Sequence, residues 1–210
     1  MKLCVYGGSG KLGQTLIEQA VARGHEIIAP VRKGSSFTRD DITLLPTPDL
    51  FENSEAMKAA INGCDAVISA LGTTERKPNT ILSDGTAKIM EAAKAAGCQR
   101  LLVVTSFGCR ESVSTVKPFL FRQLIVKWIG KHIWADKNRQ EDLVEVSGLD
   151  YTIIRPTGLS DDEVTGKYQA VLPEDPAQIG GRISRANVAH FILEALDQPS
   201  TIGKIYTLFP

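Results

Sequence analysis

The sequence predicts an α/β fold with a doubly wound parallel sheet. Short apolar runs alternate along the chain with segments of helical periodicity. These runs are nearly continuous in apolar residues, which is typical of parallel strands covered by helices on both faces. A glycine-rich turn at residues 7–13 joins the first run to the first helix. At 210 residues the chain is long enough for one substantial core, so we expect a single domain, 1–210, with a small C-terminal lobe.

The predicted elements follow one another in a regular order. Strands are predicted over 2–6, 26–33, 42–45, 65–72, 100–106 and 151–155, and helices after the glycine turn, over 54–62 and over 80–96. Further along we expect a short strand within 167–172, a helix capped by Ser184 and a final strand over 203–209. Two segments, about 110–135 and 157–184, are predicted to form the lobe that shapes the substrate pocket.

The glycine-rich turn is the most informative motif in the chain. Gly8, Gly10 and Gly13 match the spacing G-x-G-x-x-G, while Gly7, Gly10 and Gly13 match G-x-x-G-x-x-G. Such a turn lets the backbone approach a pyrophosphate closely, and free N–H groups and the helix dipole receive its negative charge. The alternative is a strand-to-helix turn that needs glycine only for its backbone freedom. In its α/β context the motif predicts a dinucleotide-binding, Rossmann-type fold.

Two cations follow the second predicted strand. A site that prefers NAD usually places Asp or Glu here, about 20 residues beyond the glycines, to bind the ribose 2′-hydroxyl. This chain has Arg32 and Lys33 instead. Because a guanidinium suits a 2′-phosphate, we predict NADP(H) as the cofactor, with Arg32 as its principal discriminator. The alternative for Arg32 is a solvated charge at the end of a strand.

Composition and charge narrow the class of protein. Lys plus Arg equals Asp plus Glu at 24 each, so the chain lacks a broad basic field and we expect no nucleic-acid partner. The 4 cysteines have no metal-ligand spacing, so neither a metal site nor a disulfide framework is predicted. No run approaches 18 apolar residues, and no signal segment precedes the first strand. These features predict a cytoplasmic protein without stable membrane insertion.

Ordered segments along nearly the whole chain support a family resemblance. They are residues 7–13, 31–32, 65–72, 83–85, 105–106, 147–156, 165–168 and 182–184. With these motifs the chain resembles the atypical short-chain dehydrogenases of the NmrA-like group, and within that group the flavin reductase/biliverdin reductase B type. The resemblance implies an NAD(P)-binding domain that works as a reductase.

The resemblance also implies a set of cofactor-binding residues. The pyrophosphate would be surrounded by Gly7, Ser9, Gly10, Lys11 and Leu12, the 2′-phosphate bound by Arg32, the adenine by Asp49 and Leu50, and the ribose side by Leu71 and Gly72. The nicotinamide end would be approached by Ser106, Pro156 and Thr157. Ligands of such sheets lie beyond the carboxyl ends of the strands, so we expect these residues to face one crevice.

The chain departs from ordinary short-chain dehydrogenases at their catalytic Tyr. Those enzymes place a Tyr four residues before a Lys, and the cation lowers the pKa of the phenol. Here Lys137 occupies a plausible Lys position, but Ile133 stands four residues before it. Tyr168 falls in a later loop that the fold could bring near. Because a flavin or a linear tetrapyrrole can take its proton from solvent, the missing phenol favours a conjugated acceptor over an alcohol.

Two residues are predicted to act in catalysis. Ser106 would orient the nicotinamide or the acceptor, and Lys137 would stabilise negative charge that develops on the acceptor. Both have ordinary alternatives, a serine in a local turn and a solvated helix lysine. His132 is a weaker candidate, since an imidazole titrates near neutral pH.

An amphipathic helix is predicted over about 118–134. Its apolar face consists of Phe121, Leu124, Ile125, Trp128 and Ile129, which recur at helical spacing. Four interpretations stay open: a helix packed on the core, a lid over the substrate crevice, a subunit contact and a helix on a membrane surface.

Together these patterns favour an NADPH-dependent oxidoreductase that transfers hydride to a flavin, tetrapyrrole, quinone or similar conjugated acceptor. Two alternatives stay open, a non-catalytic NADP-sensing regulator of the NmrA-like kind and an NAD(P)-dependent, epimerase-like enzyme. The expected partner is the small-molecule acceptor, and the protein is expected to be a monomer or a homodimer.

Overall fold

The computed structural model describes residues 1–47, 51–73, 75, 77–115, 131–175 and 177–210. The strands are β1 (Lys2–Tyr6), β2 (Glu26–Arg32), β3 (Thr43–Thr47), β4 (Ala66–Ser69), β5 (Arg100–Val104), β6 (Asp150–Pro156), β7 (Gly158–Ser160), β8 (Gln169–Val171), β9 (Arg182–Ser184) and β10 (Lys204–Phe209). The α-helices are α1 (Lys11–Ala22), α2 (Ser54–Ile61), α3 (Ile81–Ala95), α4 (Lys131–Glu145) and α5 (Arg185–Leu196), and short 3-10 helices span Arg110–Thr115 and Pro199–Thr201.

Eight strands form one sheet in the order β3-β2-β1-β4-β5-β6-β10-β8. Neighbouring strands from β3 to β10 are parallel, whereas β8 runs antiparallel to β10 at the edge. The chain builds outward from β1 through β2 and β3, and then continues on the other side of β1 with β4. The strand order therefore reverses between β1 and β4, where folds of this kind bind their ligands. The predicted doubly wound sheet is confirmed.

Helices cover both faces of the sheet and bury two apolar clusters. On one face α1 and α5 contribute Leu16 and Val188 to the first cluster. On the other face α2, α3 and α4 contribute Ile61, Ile89 and Val144 to the second cluster. All five side chains are fully buried. Because the central strands are covered on both sides, their sequences are apolar without alternation.

The observed elements lie close to the predicted ones. The third strand was expected over 42–45, but β3 runs Thr43–Thr47, because its parallel pairing with β2 extends to Thr47 opposite Arg32. The helix expected over 80–96 is α3, Ile81–Ala95. Ser184 caps α5 as predicted, since its hydroxyl accepts a hydrogen bond of 3.0 Å from the amide of Asn187.

The two segments expected to form a substrate lobe differ in how much the structure describes. Within 157–184, β7 and β9 pair in parallel as a separate two-stranded sheet, while β8 joins the edge of the main sheet. Within 110–135, the described parts are a 3-10 helix and the first turn of α4. Residues 116–130, which hold the apolar face of the predicted amphipathic helix, lie outside the described residues.

Candidate functional site

The glycine turn forms a backbone cradle that leaves no room for a side chain at Gly7 or Gly13. Gly7 has a φ of +82°, and a Cβ added to it would lie 2.5 Å from the carbonyl oxygen of Ala70. A Cβ added to Gly13 would lie 2.2 Å from the carbonyl oxygen of Gly7. Both distances are far below van der Waals contact. Glycine at these positions therefore allows the ends of β1 and β4 and the start of α1 to meet.

The first turn of α1 offers amide groups to a ligand. Gly10 is the N-cap and supplies no side-chain hydrogen bond. The amide of Gln14 makes the first intrahelical bond, 2.8 Å to the Gly10 carbonyl, so the amides before it have no acceptor within the helix. With the positive end of the helix dipole, they suit an anionic group. The cradle and this helix start fit the pyrophosphate of the predicted dinucleotide.

The side chains of Leu12 and Lys11 in this turn make contacts within the protein. Leu12 is 8% exposed and belongs to the core, so only its backbone remains available to a ligand. The Lys11 ammonium lies 3.0 Å from the carboxylate of Asp161, which also binds Arg185. The basic residue of the turn is thus paired with the segment after β7.

A pocket of about 710 Å³ adjoins the turn, between α1 and the loop that follows β2. It is lined by Ser9, Gln14, Glu18, Ser35, Ser36, Phe37, Thr38 and Arg39. The Arg39 guanidinium binds Asp41 through two hydrogen bonds, one of 2.8 Å from Nε, and this contact lowers the pKa of that carboxyl. Arg32, the predicted discriminator, is exposed at the end of β2 and lies outside this lining. Arg39 was not predicted as a site residue from the sequence.

The residues predicted to line the ribose follow β4, and those predicted to approach the nicotinamide lie at the carboxyl ends of β5 and β6. Leu71 and Ser106 are half-buried, and Gly72 is exposed. Thr157 is 6% exposed, and its hydroxyl has no hydrogen-bond partner within the described ranges; the same holds for the buried hydroxyl of Ser69. Buried hydroxyls without partners are uncommon. Two of them lie at the carboxyl ends of β4 and β6, beside the predicted site residues.

Helix α4 fixes the loop that follows β5 and contains Ser106. Three side chains on one face of the helix bond to it: Trp134 Nε1 donates to the Phe107 carbonyl at 3.3 Å, Asn138 Oδ1 accepts from the Arg110 amide at 2.9 Å, and Glu141 Oε1 accepts from the Thr105 hydroxyl at 2.6 Å. The loop is also tied to β6, because the Phe107 amide donates to the Pro156 carbonyl at 2.9 Å. The position of Ser106 is therefore set by two elements.

Lys137 lies on the same side of α4 and is only 9% exposed. Its ammonium has no hydrogen bond or ion pair among the residues that the structure describes. Burial lowers the pKa of Lys137, and the nearby Cys109, Glu141 and Asp136 oppose this effect. Cys109 acts electrostatically on Lys137, and its sulfur also lies 3.8 Å from the Ser106 hydroxyl. Both predicted catalytic residues are therefore near Cys109. The alternative of a solvated helix lysine is wrong.

Tyr168 is not brought to this lysine. Its hydroxyl lies 3.0 Å from Nδ1 of His190 on α5, which covers the face of the sheet opposite α4. His132 is half-buried in the first turn of α4, and its role stays a prediction. Asp49 and Leu50, predicted to lie along the adenine, fall outside the described residues.

Within the described ranges, no group of three or more His, Cys, Asp or Glu residues could hold a metal ion. No described helix is long and apolar enough to cross a membrane. The four thiols are all free and buried.

The doubly wound sheet and the glycine cradle at its switch point define a Rossmann-type, dinucleotide-binding protein. The chain belongs to the NAD(P)H-binding family, whose model matches residues 7–199. Membership confirms the predicted NAD(P)-binding domain, and it confirms the predicted cofactor as a nicotinamide dinucleotide.

Relatives and solved structures cover the chain almost completely. "Uncharacterized sugar epimerase YhfK" of Bacillus subtilis is 32% identical over 99% of this chain and 94% of the relative. The structure of ChuY, an anaerobillin reductase from Escherichia coli O157:H7, is 24% identical with a TM-score of 0.79, over 100% of this chain and 97% of that one. A short-chain dehydrogenase/reductase from Veillonella parvula, solved in complex with NADP, is 16% identical with a TM-score of 0.80, over 100% and 94%. The two structures confirm the Rossmann-type α/β fold.

Proposed function

We propose that the protein is an NADPH-dependent reductase of the atypical short-chain dehydrogenase type, which transfers hydride to a flavin, tetrapyrrole, quinone or similar conjugated acceptor. One observation supports this most strongly. Beside the Ser106 loop lies a buried lysine without an ion-pair partner in the described chain, while Ile133 occupies the position where an alcohol-oxidising enzyme of this type has its phenol. Such a site can stabilise charge on an acceptor but has no phenol to exchange protons with an alcohol.

The coenzyme-binding part of the proposal uses two neighbouring features. The glycine cradle and the start of α1 would hold the pyrophosphate. The adjoining pocket places two serine hydroxyls and the Arg39 guanidinium together, a donor set that suits a 2′-phosphate. The NADP bound to the Veillonella fold neighbour agrees with this preference. Arg32, next to this pocket in the chain, stays a second candidate for the same phosphate.

Three side chains would act at the nicotinamide end of the site. When bound, the nicotinamide ring supplies the hydride. The Ser106 hydroxyl would orient the carboxamide or the acceptor, and Thr157 would use its unpaired hydroxyl at the same edge of the sheet. The Lys137 ammonium would stabilise negative charge on the acceptor or give it a proton, which solvent then returns to the amine. The acceptor thereby gains one hydride and one proton.

The test is a screen of NADPH oxidation with free flavins, quinones, linear tetrapyrroles and aldehydes. We expect oxidation with at least one conjugated acceptor and little with aldehydes. Ser106→Ala and Lys137→Ala are expected to lower turnover by about 10-fold or more, because each removes a group that acts on the reacting atoms. Full activity in both variants would remove their catalytic assignment.

A second candidate is a regulator that binds NADP without turnover. The same absence of a phenol at position 133 supports it. Tight NADPH binding with no oxidation across the whole panel would favour this regulator over the reductase. The name of YhfK points to a third activity, sugar epimerisation, but a route through alcohol oxidation lacks its usual phenol here.

A further inference from the structure

A buried pair of opposite charges joins α4 to β6. The side chains of Glu141 and Arg155 are both 0% exposed, and the guanidinium donates two hydrogen bonds to the carboxylate, at 2.9 and 2.7 Å. Removing two charges from water is costly, and replacing such a pair by apolar residues is often neutral or stabilising. Stability alone is therefore a weak explanation for this pair.

The partners of the pair lie next to the residues predicted to act in the site. The Glu141 carboxylate also accepts a 2.6 Å hydrogen bond from Thr105, the residue before Ser106. Arg155 stands directly before Pro156 and Thr157 at the end of β6, and Lys137 lies one helical turn before Glu141. A single carboxylate thus joins the three chain segments that supply the nicotinamide end of the site.

The far side of the guanidinium anchors the same loop at a further point. Arg155 Nη1 binds the carboxylate of Glu111, in the 3-10 helix that follows the loop. The loop between Thr105 and Glu111 is consequently held at both of its ends by one ion network. Its middle is held by the Trp134 and Asn138 contacts to α4.

We infer that Thr105, Glu141 and Arg155 are positioning residues, which hold the Ser106 loop and Lys137 in fixed relation to the end of the coenzyme site. This inference rests on the proposed reductase function, and it goes beyond it by naming the side chains that set the geometry. None of the three has to touch the coenzyme or the acceptor. They act through the Thr105 hydroxyl, the buried carboxylate and the segment before Pro156.

Thr105→Val is the decisive variant, because it removes one hydroxyl and leaves the ion pair in place. Glu141→Gln would leave the buried guanidinium without its buried charged partner and is expected to lower the melting temperature sharply. It is therefore a more disruptive variant of the same network and is secondary to Thr105→Val. The matched control is Thr86→Val. Thr86 is equally buried and bonds to Gln140, the neighbour of Glu141, at 2.8 Å, but this contact faces α3 rather than the loop.

The first readout is hydrogen exchange of the protein without coenzyme. The amides of Phe107, Gly108 and Arg110 are hydrogen-bonded in the loop. We expect Thr105→Val to speed exchange of the 105–112 peptide by about 10-fold, the value of one hydrogen bond to a charged group. Thr105→Ser should restore protection, and Thr86→Val should leave this peptide unchanged. Wild-type exchange in Thr105→Val would overturn the inference.

The second readout separates turnover from binding. With an acceptor from the NADPH screen, Thr105→Val is expected to lower kcat by about 10-fold while the Kd for NADPH stays within about 2-fold, since the glycine turn that would hold the pyrophosphate is unchanged. An unchanged kcat, or a parallel loss of kcat and NADPH binding, would contradict the positioning role. If the wild type oxidises no NADPH, the proposed function fails, and the exchange result still decides whether the loop is positioned in this way.

Discussion

The two ends of the candidate crevice are built in different ways. At one end, consecutive residues 7–13 present backbone groups, and Gly7 and Gly13 are required because a Cβ at either position would collide with backbone. At the other end, side chains from β5, α4 and β6 meet around Glu141. A site made of backbone groups depends on local spacing, whereas a site made of side chains depends on how distant elements pack.

The ion pairs at the two ends also differ in their exposure to solvent. The Lys11–Asp161 pair beside the glycine turn has side chains 71% and 64% exposed, while Glu141 and Arg155 are fully buried. Exposed pairs contribute little because water screens them, and breaking a buried pair leaves an uncompensated charge. Substitutions at the α4 end should therefore have larger electrostatic effects than those near the turn, where steric changes should dominate.

The largest effect is expected from Gly13→Ala. The added Cβ would lie 2.2 Å from the Gly7 carbonyl oxygen, so the cradle must open. We expect NADPH affinity to fall by about 100-fold or more, equivalent to ~3 kcal/mol. Calorimetry measures this directly, with Gly180→Ala as control, because a Cβ there meets nothing within 4 Å. Equal affinities for both variants would mean that the turn is not the pyrophosphate site.

Lys137→Met tests the opposite end of the crevice. Removing the ammonium while keeping a long side chain should lower kcat by about 100-fold and leave the NADPH Kd within about 2-fold. Steady-state kinetics with the best acceptor of the screen gives both values. A loss of NADPH binding without a loss of kcat would mean that Lys137 binds the coenzyme and does not act on the acceptor.

The same variant predicts a pH dependence of stability. Burial lowers the pKa of Lys137, so between that pKa and the ordinary lysine value the unfolded chain binds more protons than the folded one. The stability that Lys137 contributes must then rise with pH through this window and stay constant below it. We expect the melting temperature of the wild type, relative to Lys137→Met, to increase as the pH rises towards the ordinary lysine pKa. A flat difference would show that the ammonium is solvated.

Arg39→Ala should have an intermediate effect, confined to one coenzyme. Loss of a charge-assisted contact to a 2′-phosphate should weaken NADPH binding by about 10- to 100-fold and leave NADH binding unchanged. Arg32→Ala is measured alongside to rank the two cations, and Lys58→Ala serves as the control for loss of a remote exposed charge. If neither arginine variant changes the ratio of NADPH to NADH affinity, the pocket beside the turn does not bind the phosphate.

The smallest effect is expected for Asp161→Asn. Its pair with Lys11 is solvent-exposed, and the Asn amide oxygen can still accept a hydrogen bond from Arg185, so the melting temperature should stay within about 1 °C of the wild type. NADPH affinity should change by less than about 3-fold. A 10-fold change in a titration with NADPH would show that the segment after β7 takes part in coenzyme binding.

What the sequence predicts well follows from local rules. The continuous apolar runs identify strands buried on both faces, and the glycine spacing identifies the turn, because both depend only on neighbouring residues. Glu141 and Arg155 are charged and therefore resemble surface residues in the sequence, yet packing of α4 against β6 buries both. Lys137 was recognised by its distance from the expected Tyr position, but its burial could not be predicted. Arg39 was missed because the irregular loop that holds it has no periodicity.

The most direct test of coenzyme binding is calorimetry of the purified protein with NADPH. We expect a measurable heat of binding and a rise in melting temperature, both stronger with NADPH than with NADH. No heat and no thermal shift with either coenzyme would contradict coenzyme binding.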